Sequence, residues 1–251
     1  MNSISISCTI ATCMFGSALF GMMLRIMLPQ HHFSDKSQDI VKLGAGLIGS
    51  MAALLLGLLV ASAKGSYDTD KAELTQMSSK VIVLDRLLAL YGPEAHEARV
   101  LLRNAVVRTM RRIWPEQNSQ SADNDPGVST GGLMYSAIQQ LTPKNDQQRG
   151  LKSDCLSIAL DLAQMRWLLY EQSESSISMT FLVVVVFWLM VIFLTFGLFS
   201  PRNATVIATL FLCALSVAGA IFLILELDEP FRGMIRISSE PLSRAVEHLG
   251  K

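Results

Sequence analysis

The sequence predicts an all-α integral membrane protein with four transmembrane helices in two hairpins and a helical cytosolic bundle formed by the segment between spans 2 and 3. Two observations predict this class. Hydrophobic residues make up 51% of the 251 residues and the mean hydropathy is +0.39, which is too apolar for an ordinary soluble domain. The 21 basic and 21 acidic residues also avoid four long windows of the chain. That segregation of charge indicates segments that lie in a bilayer.

The windows without a charged residue are each roughly 20 residues long, and they run from Ile4 to Leu24, from Leu43 to Ala63, from Ile177 to Pro201 and from Asn203 to Leu225. A helix of about 20 residues crosses the hydrocarbon core while it satisfies its own backbone hydrogen bonds. We therefore predict transmembrane helices at residues 1–27, 43–63, 177–200 and 204–225.

The first window has one alternative, a cleaved signal peptide. No Lys or Arg precedes it, and Arg25 and Pro29 follow where a cleavage site needs small residues. The window is also longer than a usual signal-peptide core. These features favour an uncleaved anchor.

The even number of spans places both termini and residues 64–176 on one side of the membrane, with residues 28–42 as an external loop. Lys and Arg are enriched in cytoplasmic flanks, which favours the cytoplasm for the side that carries both termini. The side with both termini has five basic residues near the ends of the spans: Lys64, Lys71, Arg166, Arg232 and Arg236. The other side has four: Arg25, Lys36, Lys42 and Arg202. Residues 226–251 then form an interfacial or cytosolic tail.

The segment 64–176 is predicted to be helical almost throughout. The first helix continues from span 2 and carries an apolar seam at three-four-three spacing. It ends at Gly92-Pro93, and a second helix follows from about Glu94 to Ile113. The seam consists of Leu74, Met77, Val81, Leu84, Leu88 and Tyr91. Residues 116–132 lack periodicity and predict a flexible loop, followed by a short helix.

A last helix is predicted to begin at Thr142-Pro143, because Thr is a good N-cap and Pro suits the first turn. It carries Leu151, Cys155, Ile158, Leu162, Met165 and Leu169 on one face and runs toward span 3. The apolar seams favour an antiparallel bundle within the chain, and an intersubunit coiled coil is the alternative.

Span 2 carries small residues every fourth position: Ala45, Gly49, Ala53, Gly57 and Ala61. Residues 44–49 also match the dinucleotide-binding pattern G-x-G-x-x-G, but no strand precedes them and the following helix is a membrane span. The stripe instead predicts an inner helix that packs closely against other spans or lines a pore.

The sequence offers little support for catalysis, a metal or a cofactor. The adjacent His31 and His32 lie near Asp35 and Asp39, a pattern more typical of a solvated loop than of a metal site. The four cysteines form no C-x-x-C spacing. The spans contain no charged residue, which argues against pumps and proton-coupled transporters but allows a passive pore with an apolar constriction. A net charge of zero gives no argument for a nucleic-acid partner.

The residues after the last span form a distinctive signature, Glu226-Leu227-Asp228-Glu229-Pro230-Phe231-Arg232-Gly233-Met234-Ile235-Arg236-Ile237-Ser238-Ser239-Glu240-Pro241-Leu242. This signature resembles that of the bacterial bestrophin-like membrane family, a domain of unknown function. Other stretches resemble the same family: the span and exit from Val41 to Tyr67, Leu84-Asp85-Arg86, Tyr91-Gly92-Pro93-Glu94-Ala95, Ile113-Trp114-Pro115-Glu116 and Gln164-Met165-Arg166-Trp167-Leu168-Leu169. We expect Glu226, Asp228, Pro230, Phe231, Gly233 and Arg236 to form an interfacial signature or to dock on the projecting helices.

The resemblance implies a bacterial inner-membrane protein that contacts lipid, forms a homo-oligomer and conducts an ion passively, as the oligomeric anion channels of the true bestrophins do. The alternative function is a non-conducting scaffold or sensor whose cytosolic bundle binds a partner. Neither alternative is an enzyme.

Overall fold

The computed structural model describes residues 3–27, 35–114, 130–171, 179–231 and 233–249, and these residues are helical almost throughout. The α-helices in this part of the chain are α1 (Ser3–Met27), α2 (Asp35–Tyr91), α3 (His96–Ile113), α4 (Thr130–Gln140), α5 (Asp146–Glu171), α6 (Met179–Phe199), α7 (Ala204–Asp228) and α8 (Glu240–His248). A short 3-10 turn, Pro93–Ala95, precedes α3. None of the described residues forms a strand.

The chain divides into two compact units. The membrane unit contains α1, α2 as far as Tyr67, α6, α7 and residues 229 and 233–235. The helical unit contains α2 from Asp68, α3, α4, α5, residues 230–231 and residues 236–249.

Four of these helices, α1, α2, α6 and α7, are long and apolar enough to cross a membrane. The all-helical class with four candidate spans is therefore confirmed. The helix α2 begins at Asp35, inside the segment expected to be a loop. The loop prediction missed this start because hydropathy marks only the apolar part of a helix. An acidic first residue also stabilises a helix N-terminus. Residues 28–34, with His31 and His32, lie outside the described residues.

A close helix crossing in the membrane unit joins α1 to α6 through glycine. A Cβ built on Gly197 would lie 2.8 Å from the carbonyl carbon of Ala18, and one built on Gly21 would lie 2.9 Å from the backbone nitrogen of Leu198. Backbone atoms cannot yield as flexible side chains do, so only glycine allows this approach. Nearby, the rings of Phe15 and Phe211 join α1 to α7 edge to face at 5.3 Å.

The seam predicted for the first projecting helix is buried in the helical unit: Leu74, Met77, Val81, Leu84, Leu88 and Tyr91 are each at most 5% exposed. The other helices add Ala98, Leu102, Val106, Met134, Ile138, Cys155 and Ala159 to this buried set. The predicted seam of α2 is therefore confirmed. Seven-residue repeats bring the same helix face back to its neighbours every second turn, which is why the spacing was informative.

The predicted start of the last helix at Thr142-Pro143 is wrong, since α5 begins at Asp146. The Oδ1 atom of Asn145 accepts a hydrogen bond from the backbone N–H of Gln148 at 2.7 Å, the geometry of an N-cap. Asn caps a helix as well as Thr does, and the side chain that reaches the third helical N–H decides where the helix starts. Most of the predicted flexible loop 116–132 lies outside the described residues, while its last three residues belong to α4.

A sharp turn at Gly92 separates α2 from α3. Gly92 has φ of 125°, a left-handed conformation that a side chain would strain. Across this turn, Gln148 Nε2 donates to the carbonyl oxygen of Tyr91 at 2.9 Å, and the Lys144 ammonium lies 2.5 Å from the Glu94 carboxylate. The start of α5 is thus joined to the end of α2.

Candidate functional site

Glu226, the first residue of the signature, lies in the last turn of α7 and is only 3% exposed. Its Oε1 atom accepts hydrogen bonds from the backbone N–H of Met234 and, at 3.3 Å, from that of Ile235. A buried carboxylate at a helix C-terminus is unfavourable because of its desolvation and the helix dipole. Charge-assisted bonds from two backbone donors offset that cost. The carboxylate therefore organises the chain that follows α7.

Gly233 is the residue that allows this arrangement. A Cβ at Gly233 would lie 2.8 Å from the carboxyl carbon of Glu226, inside van der Waals contact. The backbone N–H of Gly233 also donates to the Glu229 carbonyl at 3.2 Å. Glu226 and Gly233 thus occupy one closed loop, although six residues separate them in the sequence.

A second cluster lies in the helical unit, where Trp114 contacts the signature. The Trp114 Nε1–H donates to the Ile237 carbonyl at 3.0 Å, and its ring meets that of Phe231 edge to face at 6.0 Å. The Ile237 N–H in turn donates to the carbonyl of Pro230 at 2.8 Å. The structure therefore brings together two motifs that are far apart in the sequence, Ile113-Trp114 and the signature.

The tail continues as α8 and packs on α2. Ser78 Oγ donates to the Pro241 carbonyl at 2.6 Å, and Leu242, Ala245 and Leu249 are buried. Arg236 is exposed, and Asp228 ends α7 with partial exposure. Within the helical unit the signature contacts Trp114 through Phe231 and Ile237, while its expected place at the interface or on the projecting helices stays a prediction.

A buried ion pair links α2 to α3 in the helical unit. Arg99 binds Asp85 with two hydrogen bonds, Nε to Oδ1 at 2.8 Å and Nη2 to Oδ2 at 2.9 Å, and Asp85 is 2% exposed. The hydrogen bond that Arg99 donates to the Asp85 carboxylate raises the pKa of Arg99 above its ordinary value. Asp85 belongs to the motif Leu84-Asp85-Arg86, but no residue spacing in the sequence indicates that Arg99 is its partner.

The small-residue stripe of α2 divides into two parts. Ala45 and Gly49 are half-buried, and the Ile192 side chain lies 3.8 Å from the position of a Cβ on Gly49. Ala53, Gly57 and Ala61 are exposed in the chain, and an added Cβ on Gly57 would meet open space. Successive residues of the stripe lie four positions apart, which is a rotation of about 400° around the helix axis. Each one therefore points about 40° further away from the face that Ala45 and Gly49 occupy.

Beyond Gly49, the face of α2 that packs within its own membrane unit leaves the stripe and continues through Ala52, Leu59 and Ala63. The close glycine contact that sequence reasoning missed lies between α1 and α6. Gly21 and Gly197 each stand in an otherwise bulky apolar span, a weak signal that could have pointed to them.

Metal-binding and thiol chemistry have little support in the described residues. No group of three or more His, Cys, Asp or Glu side chains in that part of the chain lies close enough to hold a metal ion. All four cysteines are free, and Cys155 is buried. Burial, with a smaller contribution from Asp154, raises the pKa of the Cys155 thiol to about 11, so the thiol stays protonated at neutral pH.

Comparison with known proteins agrees with this architecture. The chain is similar in fold to a solved structure of a bacterial bestrophin homologue from Klebsiella pneumoniae that carries a mutation, with a TM-score of 0.64 and 14% sequence identity over 93% of this chain and 96% of that one. At this identity the similarity shows the fold. No curated protein matches the sequence. A family model for the Bestrophin-like domain matches residues 11–242. The chain is therefore a membrane protein that belongs to the Bestrophin-like family.

Proposed function

We propose that the protein is the subunit of a homo-oligomeric channel through which ions, and anions in particular, permeate passively. In this proposal the spans form two hairpins in the bacterial inner membrane, with both termini and residues 64–176 in the cytoplasm. Family membership supports a channel-like protein. Subunits would meet around an axis lined by their α2 helices.

The observation that carries the proposal is the exposed face of α2. Ala53, Gly57 and Ala61 are uncovered in the single chain, and bulkier neighbours on the same side, Leu54 and Leu58, are 76% and 64% exposed. Small and apolar residues on one surface suit close packing between subunits, and they also suit an apolar throat. Ions pass such a throat only where it is wide enough to stay hydrated, so permeation needs no charged group in the span.

Electrical recording of the purified protein in lipid bilayers tests this function. Ala53→Phe should narrow the throat and reduce the current, whereas Ala53→Ser should wet it and raise the basal leak. Leu212→Phe is the matched control, because it adds a ring at an exposed position of α7 rather than of α2. Bilayers that stay silent with wild type and both Ala53 variants, under varied voltage, salt and pH, would contradict conduction.

A second candidate function is a non-conducting scaffold or sensor whose helical unit binds a protein partner. One observation favours it: the helical unit carries large apolar side chains that are 45% to 69% exposed, namely Val83, Leu90, Val100, Leu133, Leu160, Trp167 and Leu168. Exposed apolar residues are typical of an interaction surface where they form one contiguous patch. A silent bilayer together with binding of the helical unit to a second protein would support this function over conduction.

A further inference from the structure

Two arginines at one end of the membrane unit exchange hydrogen bonds between helices. Arg25, in the last turn of α1, donates from Nη1 to the carbonyl of Ser200 at 2.6 Å, and Arg202 donates from Nη2 to the carbonyl of Met22. Residues 200–203 connect α6 to α7. The exchange therefore brings two guanidinium groups to the same edge, where α1 ends beside this connection.

The charges of these two arginines are not neutralised by the contacts that hold them. Each contact is to a neutral backbone carbonyl, and residues 3–27 and 179–225 contain no Asp or Glu. Both residues are exposed. A guanidinium has five N–H donors in a planar fork, so each arginine keeps donors beyond the one used on the carbonyl. The edge is thus a two-cation site with donors available to an anion.

The surroundings of this edge are apolar and exposed. In the last two turns of α1, Phe20, Met23, Ile26 and Met27 are 55% to 75% exposed. Residues of this kind at the end of a span contact acyl chains, whereas arginines at the same level extend to the headgroups. An amphipathic ligand, with an anionic head and hydrocarbon tails, matches both parts of the surface.

We propose that Arg25 and Arg202 together bind the phosphate of an anionic phospholipid, whose acyl chains lie along the exposed apolar residues at the end of α1. Planar guanidinium groups hold phosphate oxygens with paired hydrogen bonds. A lipid with net negative charge is preferred over a zwitterionic one, because nothing in its headgroup repels the two cations. The proposal does not depend on conduction.

The test uses the purified full chain in neutral detergent, titrated with phosphatidylglycerol, with phosphatidylcholine or with inorganic phosphate. Bound lipid is counted by native mass spectrometry, and thermal unfolding is followed in parallel. We expect phosphatidylglycerol to bind and to raise the Tm of wild type, and the double variant Arg25→Gln with Arg202→Gln to bind it at least tenfold more weakly. Arg244→Gln is the control, because Arg244 is an exposed arginine of the helical unit that pairs with Glu240.

Three results would overturn the proposal: equal binding of phosphatidylglycerol by wild type and the double variant, equal binding of both lipids by wild type, or the same response to inorganic phosphate without acyl chains. If the glutamine pair does not fold, Arg25→Lys with Arg202→Lys replaces it. Lysines keep both charges but lose the planar fork, so affinity for phosphatidylglycerol should fall threefold or more. Unchanged affinity in the lysine pair would also overturn the proposal.

Discussion

The loop formed by Glu226 and Gly233 depends on a single missing methyl group, which makes it testable by the smallest of substitutions. Gly233→Ala places a carbon against the Glu226 carboxylate and breaks its bonds to the Met234 and Ile235 N–H groups. We expect a loss of about 1–3 kcal/mol in the free energy of unfolding, from steric overlap and from the lost hydrogen bonds of the buried Glu226 carboxylate. Thermal unfolding in detergent measures it.

Gly219→Ala is the matched control, since an added Cβ there meets open space in α7. Alanine is also the better helix former, so this control should be neutral or slightly stabilising. A Gly233→Ala protein as stable as the Gly219→Ala protein would contradict the role assigned to the loop.

The buried thiol of Cys155 gives a prediction about pH. Because burial raises its pKa to about 11, the reactive thiolate is scarce in the folded protein at pH 7 to 9. A thiol whose pKa is higher folded than unfolded loses part of its contribution to stability as the pH rises from the unfolded value toward the folded one. Native Cys155 should therefore react with a water-soluble maleimide far more slowly than the unfolded chain does, and rapid native labelling at pH 7 would contradict this.

At the scale of elements, the bidentate pair between α2 and α3 is the contact whose loss should cost most. Arg99→Met removes two hydrogen bonds from the buried Asp85 carboxylate, and we expect this loss to cost about 1.5–3 kcal/mol in the free energy of unfolding. Arg103→Met, at an exposed position of the same helix, should change the free energy of unfolding by less than about 0.5 kcal/mol. Urea unfolding of both variants decides, and equal stabilities would show that the pair is not needed.

The two groups of small residues in the spans should affect different properties of the protein. Gly21→Ala or Gly197→Ala forces α1 away from α6 and should lower the Tm of the subunit itself, whereas Gly16→Ala, with open space at its Cβ, should not. Gly57→Leu lies on a free surface of the chain and should disturb assembly more than Leu55→Ile does. Thermal unfolding measures the Tm of the subunit, and size-exclusion chromatography measures assembly. A Tm lowered by Gly57→Leu alone, with assembly disturbed by the Gly21 and Gly197 variants alone, would contradict both expectations.

The elements could be predicted from sequence wherever one local signal was sufficient. Hydropathy located the spans, and the seam of six apolar residues from Leu74 to Tyr91, which repeats every seven positions, identified the buried face of α2. The partners across space were not predictable, because Arg99, Trp114 and Gly197 each contact residues that no local spacing indicates. The start of α5 was missed since Thr142 and Asn145 are both good caps, and tertiary contacts at Tyr91 select between them.

At the scale of the whole molecule, the proposed topology places residues 64–176 in the cytoplasm. A cysteine introduced at residue 121 in the predicted loop should resist an impermeant thiol reagent in intact cells and react after lysis. A cysteine at residue 31 is the opposing control and should react in intact cells. Labelling of residue 121 before lysis would contradict this orientation.

The close contact between Glu226 and Gly233 also predicts how these two positions can change by mutation. Two positions that share one small volume cannot change independently, since a larger residue at 233 is tolerated only if the side chain at 226 retreats. A genetic screen for revertants of Gly233→Ala should therefore return second changes at codon 226, toward shorter polar side chains. We therefore expect the two codons to change together in evolution, although they contribute to the loop from opposite ends.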